Sequence, residues 1–189
     1  MQPAIFLDRD GVIIENRDDY VRHWDDVTFI PEAIEALRAI ASLDYAVVIV
    51  TNQAVVGKGI LSLQEAEAIN QRVMREVNAM GGRIDAAYLC PHRPDENCSC
   101  RKPKPGMLMR AANDLNLKLA NSILVGDAIT DMQAARAAGV DATLVRTGRG
   151  ERELAAFTGQ AWFNVAHNLY DALSPIILMP QFENPPKVD

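Results

Sequence analysis

The chain has 189 residues, of which 49% are hydrophobic and 23% are charged, and its net charge is −6. This composition is typical of a globular protein large enough to bury a full core, and the acidic balance argues against nucleic acid as a partner, because such binders usually present a basic surface. No apolar stretch approaches the roughly 20 residues of a membrane span, and no basic segment followed by an apolar one stands at the start, so we expect a cytoplasmic protein without a membrane partner.

Short apolar runs alternate with helical periodicity along the chain. Strands are predicted over residues 4–7, 46–50, 86–89, 123–125, 142–145 and 162–165. Helices are predicted from Pro31 and from Ser62 onward, and over residues 108–115, 132–138 and 169–173. Such alternation predicts an α/β fold with a doubly wound, mostly parallel sheet.

The remaining segments set the expected domain limits. Residues 12–29 are polar and mixed and are predicted to form a long loop, and residues 54–59 a flexible turn. We expect a single domain over residues 1–175 and a disordered C-terminal tail over residues 176–189. No long exposed apolar stripe is left over, so a monomer is expected.

Acidic and polar residues follow three of the predicted strands. Asp8 and Asp10 come after the first strand, with Gly11 allowing the chain to turn. Ligands of open α/β sheets bind beyond the carboxyl ends of the strands. Two close carboxylates repel each other unless they share a proton or a cation, and Mg²⁺ prefers hard oxygen ligands. A solvated acidic turn is the alternative interpretation of this stretch alone.

If the strands are neighbours, Thr51 after the second and Asp127 after the fourth approach the same crevice. Asp8, Asp127 and a carbonyl near Asp10 can then hold one Mg²⁺. An aspartate can attack phosphorus, and a second one can protonate the leaving oxygen and later deprotonate water. Thr51 and a lysine would stabilise the equatorial oxygens of the phosphoryl group.

Four motifs in order carry a family resemblance. They are DRDG at 8–11, TNQ at 51–53, RKPKPG at 101–106 and GDxxTD at 126–131. This set resembles the haloacid dehalogenase-type phosphatases. The resemblance implies Asp8 as nucleophile, Asp10 as general acid and base, Thr51 and Lys102 as phosphate stabilisers, and Asp127 as the second carboxylate on Mg²⁺. The preference for Lys102 over the nearby Lys104 comes from the family and not from the spacing.

All three cysteines lie within eleven residues, together with one of only three histidines. Cys90, His92, Cys98 and Cys100 supply the donors of a tetrahedral Zn²⁺ site. Four protein ligands leave no open position, so the zinc is expected to be structural. It would fix the basic pair that follows, Arg101 and Lys102, against a phosphate. Three free thiols and a surface histidine are the alternative.

The zinc loop points to a smaller group within these phosphatases. Together with the stretches at 124–139 and 144–148, it is similar to the heptose bisphosphate phosphatases, and the related histidinol-phosphate phosphatases carry the same loop. Ala128 stands where the heptose enzymes often carry lysine. The resemblance implies Mg²⁺-dependent removal of the 7-phosphate from a heptose 1,7-bisphosphate. The alternatives are another small phosphate ester such as histidinol phosphate, phosphotransfer to an acceptor other than water, and a sugar-phosphate binding module without catalysis.

No large cap domain fits into the segments after the first two motifs. The site is therefore expected to be open and shaped by the loop at 16–20, the turn at 54–59 and the zinc loop. The predicted substrate-binding residues are Asn16, Tyr20, Asn52, Gln53 and Arg101. Arg101 is expected to bind substrate beyond the transferred phosphate, because guanidinium groups bind oxyanions with two parallel hydrogen bonds.

Overall fold

One parallel sheet forms the centre of the molecule. The structure is a computed structural model that describes residues 1–178. Its six strands lie in the order β3-β2-β1-β4-β5-β6, with every neighbouring pair parallel. The strands are β1 (Ala4–Leu7), β2 (Ala46–Asn52), β3 (Ala86–Cys90), β4 (Ile123–Gly126), β5 (Asp141–Val145) and β6 (Asn164–Ala166). The prediction of a doubly wound α/β fold is confirmed.

Helices cover both faces of this sheet. They are α1 (Pro31–Ala39), α2 (Ala54–Gly57), α3 (Leu63–Ala79), α4 (Gly106–Asp114), α5 (Ile129–Ala138), α6 (Gly150–Ala156) and α7 (Leu169–Ile177). Ser62 begins α3 as its sequence pattern predicts, because its hydroxyl accepts from the Glu65 N–H at 3.2 Å while its own N–H donates to the Glu65 carboxylate at 2.8 Å. Among the described residues, no helix combines the length and apolarity needed to cross a membrane.

The two faces of the sheet bury two separate apolar cores. Successive strand residues point to opposite faces, so Ile5 and Leu7 pack with side chains of α1, α3 and α7. Ala4 and Phe6 pack with side chains of α4 and α5 on the other face. Burial on both faces explains why the central strands have continuous apolar sequences rather than alternating ones.

Several local predictions differ from the structure. The stretch predicted as a polar loop begins with the buried side chains of Val12, Ile13 and Ile14 and contains a 3-10 turn at Trp24–Asp26. Helix α2 occupies most of the predicted turn at 54–59, α6 was not predicted, and β6 begins two residues later than expected. Helices of one or two turns show little periodicity, and their stability comes from tertiary packing.

The domain limits stay a prediction. Helix α7 continues to Ile177, two residues past the expected end of the domain at residue 175. The rest of the predicted tail, including Asn184, Pro185 and Pro186, lies outside the described residues. The strand order reverses direction between β1 and β4, and in open α/β sheets ligands bind in the crevice at such a point.

Candidate active site

The three central strands bring their carboxyl-terminal residues to one crevice. β1 lies between β2 and β4, and the N–H of Asp8 donates to the Val125 carbonyl of β4 at 2.9 Å. Thr51 is the second-last residue of β2 and Asp127 directly follows β4. The structure therefore places Asp8, Thr51 and Asp127 along the same edge of the sheet.

Three buried carboxylates form the centre of this crevice. Oxygens of Asp8, Asp127 and Asp131 lie within 4.8 Å of one another, and these residues are 5%, 0% and 1% exposed. Lys102 provides a buried cation: its Nζ lies 3.1 Å from Asp8 Oδ1 and 2.6 Å from Asp131 Oδ1. It also donates to the Val50 carbonyl at 2.7 Å. Sequence reasoning quoted Asp131 within a motif but gave it no role, although its position four residues after Asp127 was a usable signal.

The charges in this cluster do not balance. Burial, followed by the neighbouring Asp8 and Asp127, raises the pKa of Asp131 to about 7, against the opposing effect of Lys102. Burial and then Asp8 also raise the pKa of Asp127, although Arg149 acts in the opposite direction. Burial alone would lower the pKa of Lys102, but Asp131 and Asp8 together raise it. A bound divalent cation would neutralise this excess of buried negative charge.

Asp127 is enclosed by the loop that follows β5. The N–H of Arg149 donates to Asp127 Oδ2 at 2.8 Å, and its Nη2 donates to Oδ1 at 3.1 Å. Gly11 and Gly148 have φ values of 82° and 59°, and a Cβ at either position would clash with Asp127 Oδ2. Thr147 ties the two loops together by donating its hydroxyl to the Gly11 carbonyl at 2.6 Å. Sequence reasoning missed Arg149, although the end of β5 reaches the same edge of the sheet.

The donor set fits Mg²⁺. Asp8 and Asp127 supply hard carboxylate oxygens in a buried cluster, with the backbone carbonyl of Asp10 as the expected third ligand. Asp131 is engaged by Lys102, so its carboxylate orients the lysine beside the cluster. A cation bound by Asp127 would share that carboxylate with Arg149.

The side chain of Asp10 has a different environment. Gln53 Nε2 donates to Asp10 Oδ2 and to the Thr51 hydroxyl, both at 2.9 Å. Asn52 exchanges hydrogen bonds with the backbone of Lys102, at 3.0 Å to its carbonyl and 3.1 Å from its N–H. The amides of Asn52 and Gln53, predicted to bind substrate, thus hold other residues of the site in place.

The cysteine loop has the geometry of a tetrahedral metal site. Cys100 Sγ lies 3.3 Å from Cys90 Sγ, 3.4 Å from Cys98 Sγ and 3.3 Å from His92 Nδ1. Donors about 2.3 Å from one zinc ion lie roughly 3.5–3.8 Å apart, whereas a disulfide is about 2.05 Å long. Burial raises the pKa of Cys90 to about 12, so a cation is needed to favour its thiolate. The cluster is compatible with a zinc site.

An open cavity of about 720 Å³ leads to the carboxylates, within the range of small-molecule sites. Asn16, Tyr20 and Arg101 line it, and the Tyr20 hydroxyl accepts from Lys58 Nζ at 2.6 Å. Lys104 also reaches the cavity, but its Nζ is bonded to Asn97 in the zinc loop at 2.7 Å. Burial and ion pairs therefore distinguish Lys102 from Lys104, which the sequence spacing did not. Within residues 1–178, no cap domain covers the opening.

Fold and site together define the haloacid dehalogenase type of phosphoryl-transfer protein. A family model described as HAD-hydrolase-like matches residues 99–172. A D-glycero-β-D-manno-heptose 1,7-bisphosphate 7-phosphatase of Bordetella bronchiseptica is 39% identical over 151 residues, which are 80% of this chain and 84% of the relative. The enzyme of the same name from Pseudomonas aeruginosa is 40% identical over 150 residues, covering 79% and 84%.

Solved structures agree with these sequence matches. The crystal structure of the B. bronchiseptica D,D-heptose 1,7-bisphosphate phosphatase, a complex with magnesium and phosphate, superposes with a TM-score of 0.86 at 35% identity, covering 93% of this chain and 98% of the other. The corresponding protein from Burkholderia thailandensis gives a TM-score of 0.71 at 28% identity, covering 94% and 99%. The chain belongs to the haloacid dehalogenase-like phosphatases, in the family of the heptose bisphosphate phosphatases.

Proposed function

We propose that this protein removes the 7-phosphate of D-glycero-β-D-manno-heptose 1,7-bisphosphate and leaves the sugar 1-phosphate and inorganic phosphate. The observation that carries the proposal is the Asp8 carboxylate paired with the buried Lys102 at the bottom of an open cavity. The names of the relatives support the choice of substrate. Support for the β anomer comes from those names alone.

Asp8 is the proposed nucleophile. One of its oxygens forms a bond to phosphorus while the bond between phosphorus and the sugar oxygen breaks, which leaves an aspartyl-phosphate. Lys102 Nζ, 3.1 Å from Asp8 Oδ1, lies where it can contact the oxygens of the transferred group. Gln53 donates a hydrogen bond to the Thr51 hydroxyl and so orients this hydroxyl, the second proposed contact to the transferred phosphoryl group. When bound, Mg²⁺ neutralises charge on Asp8, Asp127 and the phosphate, so that two anions can approach each other.

Asp10 is the proposed general acid and base. Its proton passes to the departing sugar oxygen in the first step, and its carboxylate removes a proton from the attacking water in the second. The water oxygen then forms a bond to phosphorus, and the bond to Asp8 breaks. Gln53 and the neighbouring Arg9 hold the Asp10 carboxylate in one orientation, which this double role requires.

The rest of the substrate would lie in the open part of the cavity. Asn16, Tyr20 and Arg101 remain the proposed contacts for the sugar and its second phosphate. The proposal further includes a monomeric protein in the cytoplasm that acts on a small sugar phosphate and has no nucleic-acid or membrane partner.

A direct comparison of substrates tests the assignment. We expect kcat/KM for the β-heptose 1,7-bisphosphate to exceed that for histidinol phosphate by about a hundredfold, since a site that binds a second phosphate discriminates against a ligand that lacks it. Phosphorus NMR of the product should show that the 1-phosphate is retained. The α-anomer is the matched control, and a higher kcat/KM for histidinol phosphate would reverse the assignment.

Stabilisation by Mg²⁺ should depend on pH. Asp131 has a pKa of about 7, compared with its ordinary value of 3.8, so the folded, metal-free protein binds more protons than the unfolded chain between these values. Its stability contribution therefore falls as pH rises through this window, as the carboxylates ionise and repel. The gain in Tm on adding Mg²⁺ should be larger at about pH 8 than at about pH 5.5, since below pH 7 protons compete with the metal.

Differential scanning fluorimetry with and without Mg²⁺ measures this gain, and Na⁺ at equal ionic strength is the control. An equal or larger gain at the lower pH would contradict the proposed electrostatics of the carboxylate cluster.

A further inference from the structure

A buried arginine lies between the two catalytic aspartates in the sequence. Arg9 is 1% exposed, and its Nη2 donates to both oxygens of Asp10, at 3.1 Å to Oδ1 and 3.0 Å to Oδ2. A buried charge is costly unless it is paired and hydrogen-bonded. The position of this guanidinium therefore matters directly to the position of Asp10.

Asn70 fixes the other end of the guanidinium. Its Oδ1 accepts from Arg9 Nη1 at 2.8 Å. Asn70 lies in the middle of α3, is 3% exposed, and belongs to the helix face that carries Ile69 and Val73 into the core. Asparagine is a poor helix former, and a buried amide without partners is destabilising, so neither helix formation nor apolar packing explains this residue. Its contact with Arg9 does.

A series of hydrogen bonds connects α3, which lies outside the four sequence motifs, to the catalytic Asp10. Asn70 holds Arg9, Arg9 holds both oxygens of Asp10, and Gln53, directly after the neighbouring strand β2, holds one of them. The Asp10 side chain remains 20% exposed toward the cavity, so its carboxylate is both restrained and accessible. A general acid must be oriented toward the leaving oxygen to transfer its proton efficiently.

We propose that Asn70, acting through Arg9, is a positioning residue that aims Asp10 at the leaving-group oxygen. This inference rests on the proposed function and deepens it, because it extends the acid–base part of the site to α3. It concerns the first step, in which the bond from phosphorus to the leaving oxygen breaks and the proton of Asp10 moves to that oxygen. For a reaction through a covalent intermediate, kcat/KM reports only the steps up to formation of that intermediate and is not affected by the later base role of Asp10. For a leaving group that needs no proton, kcat/KM should therefore be insensitive to Asn70.

Two substrates separate this role from a general effect on the fold. The 7-phosphate of the heptose 1,7-bisphosphate leaves a strongly basic alkoxide that needs the proton, whereas p-nitrophenyl phosphate releases a weakly basic anion that departs without it. General acid catalysis contributes about 10²–10⁴-fold, and misalignment forfeits part of that. Asn70→Leu should lower kcat/KM for the heptose bisphosphate by about 10- to 100-fold and kcat/KM for p-nitrophenyl phosphate by less than about threefold.

Matched variants complete the experiment. Asn70→Asp retains an acceptor for Arg9 and should restore the wild-type ratio of the two kcat/KM values, and Gln71→Leu on the exposed side of α3 should leave both unchanged. If Asn70→Leu does not fold, Asn70→Ser, whose side chain is too short to reach the guanidinium, should show the same selective loss.

The possible results are distinguishable. An equal loss on both substrates, or no loss on either, overturns the role of Asn70 while wild-type phosphatase activity still supports the proposed function. A wild-type protein that does not hydrolyse the heptose bisphosphate overturns the proposed function itself, and the positioning role with it.

Discussion

Replacement of Asp8 by asparagine should abolish turnover. An amide is a poor nucleophile and cannot form the aspartyl-phosphate, so we expect kcat to fall by on the order of 10⁴-fold or more. The change keeps the size of the side chain, and Lys102 retains its contact with Asp131 at 2.6 Å. The variant should therefore fold with the wild-type arrangement of its buried cation.

Release of inorganic phosphate under saturating Mg²⁺ measures this effect. Acid-quenched wild-type protein should carry a phosphoryl group on the peptide that contains Asp8, and the variant should carry none. Asp44→Asn is the matched control, because this exposed acid lies outside the cavity lining and its kcat should not change. Full activity of the Asp8 variant would rule out covalent catalysis.

The second large effect concerns the metal loop. Cys98→Ser removes one of four donors, and the remaining three should no longer retain zinc through dialysis against a chelator. Arg101 donates to the His92 carbonyl at 3.2 Å, and Lys102 follows it directly, so loss of the metal disturbs both basic residues. We expect a clear drop in Tm and a loss of kcat/KM of about 10- to 100-fold.

Metal analysis of the dialysed proteins, thermal unfolding and steady-state kinetics measure these effects. Wild-type protein should retain about one zinc per chain. Ser99→Ala is the control, since its exposed side chain lies between two of the ligands in sequence and should be replaceable. Unchanged stability and kinetics in Cys98→Ser would show that the loop holds its shape without the metal.

The sequence predicted those elements whose local pattern and final environment agree. The apolar runs at Ala4–Leu7 and at residues 46–50 are buried on both faces of the sheet, so composition alone was sufficient to indicate them. The run at residues 12–14 was assigned to a polar loop because its neighbours are polar, yet its side chains are buried. Ile14 also forms a backbone bridge with Phe29, a contact that no local pattern contains.

The residues of the site also separate into those that the sequence predicted and those that it missed. Asp8, Thr51 and Asp127 were predictable because each follows a recognisable strand. The contact between Arg9 and Asn70 joins residues 61 positions apart, and the bond from Arg149 to Asp127 spans 22. Contacts of this kind depend on how the helices and loops pack against the sheet, and single-sequence periodicity carries no information about that packing.

The order of the strands also has a consequence for local opening of the molecule. Within residues 1–178, β3 is an edge strand and pairs with β2 alone. The segment that carries Lys102 follows its last residue, Cys90. Edge strands open locally more readily than central strands. Lys102, which pairs with the buried carboxylates, therefore lies in a segment that follows an easily opened strand. A metal bound by Cys90 at the end of β3 would restrain that segment, so amide hydrogen exchange in β3 should be slower when the metal is present.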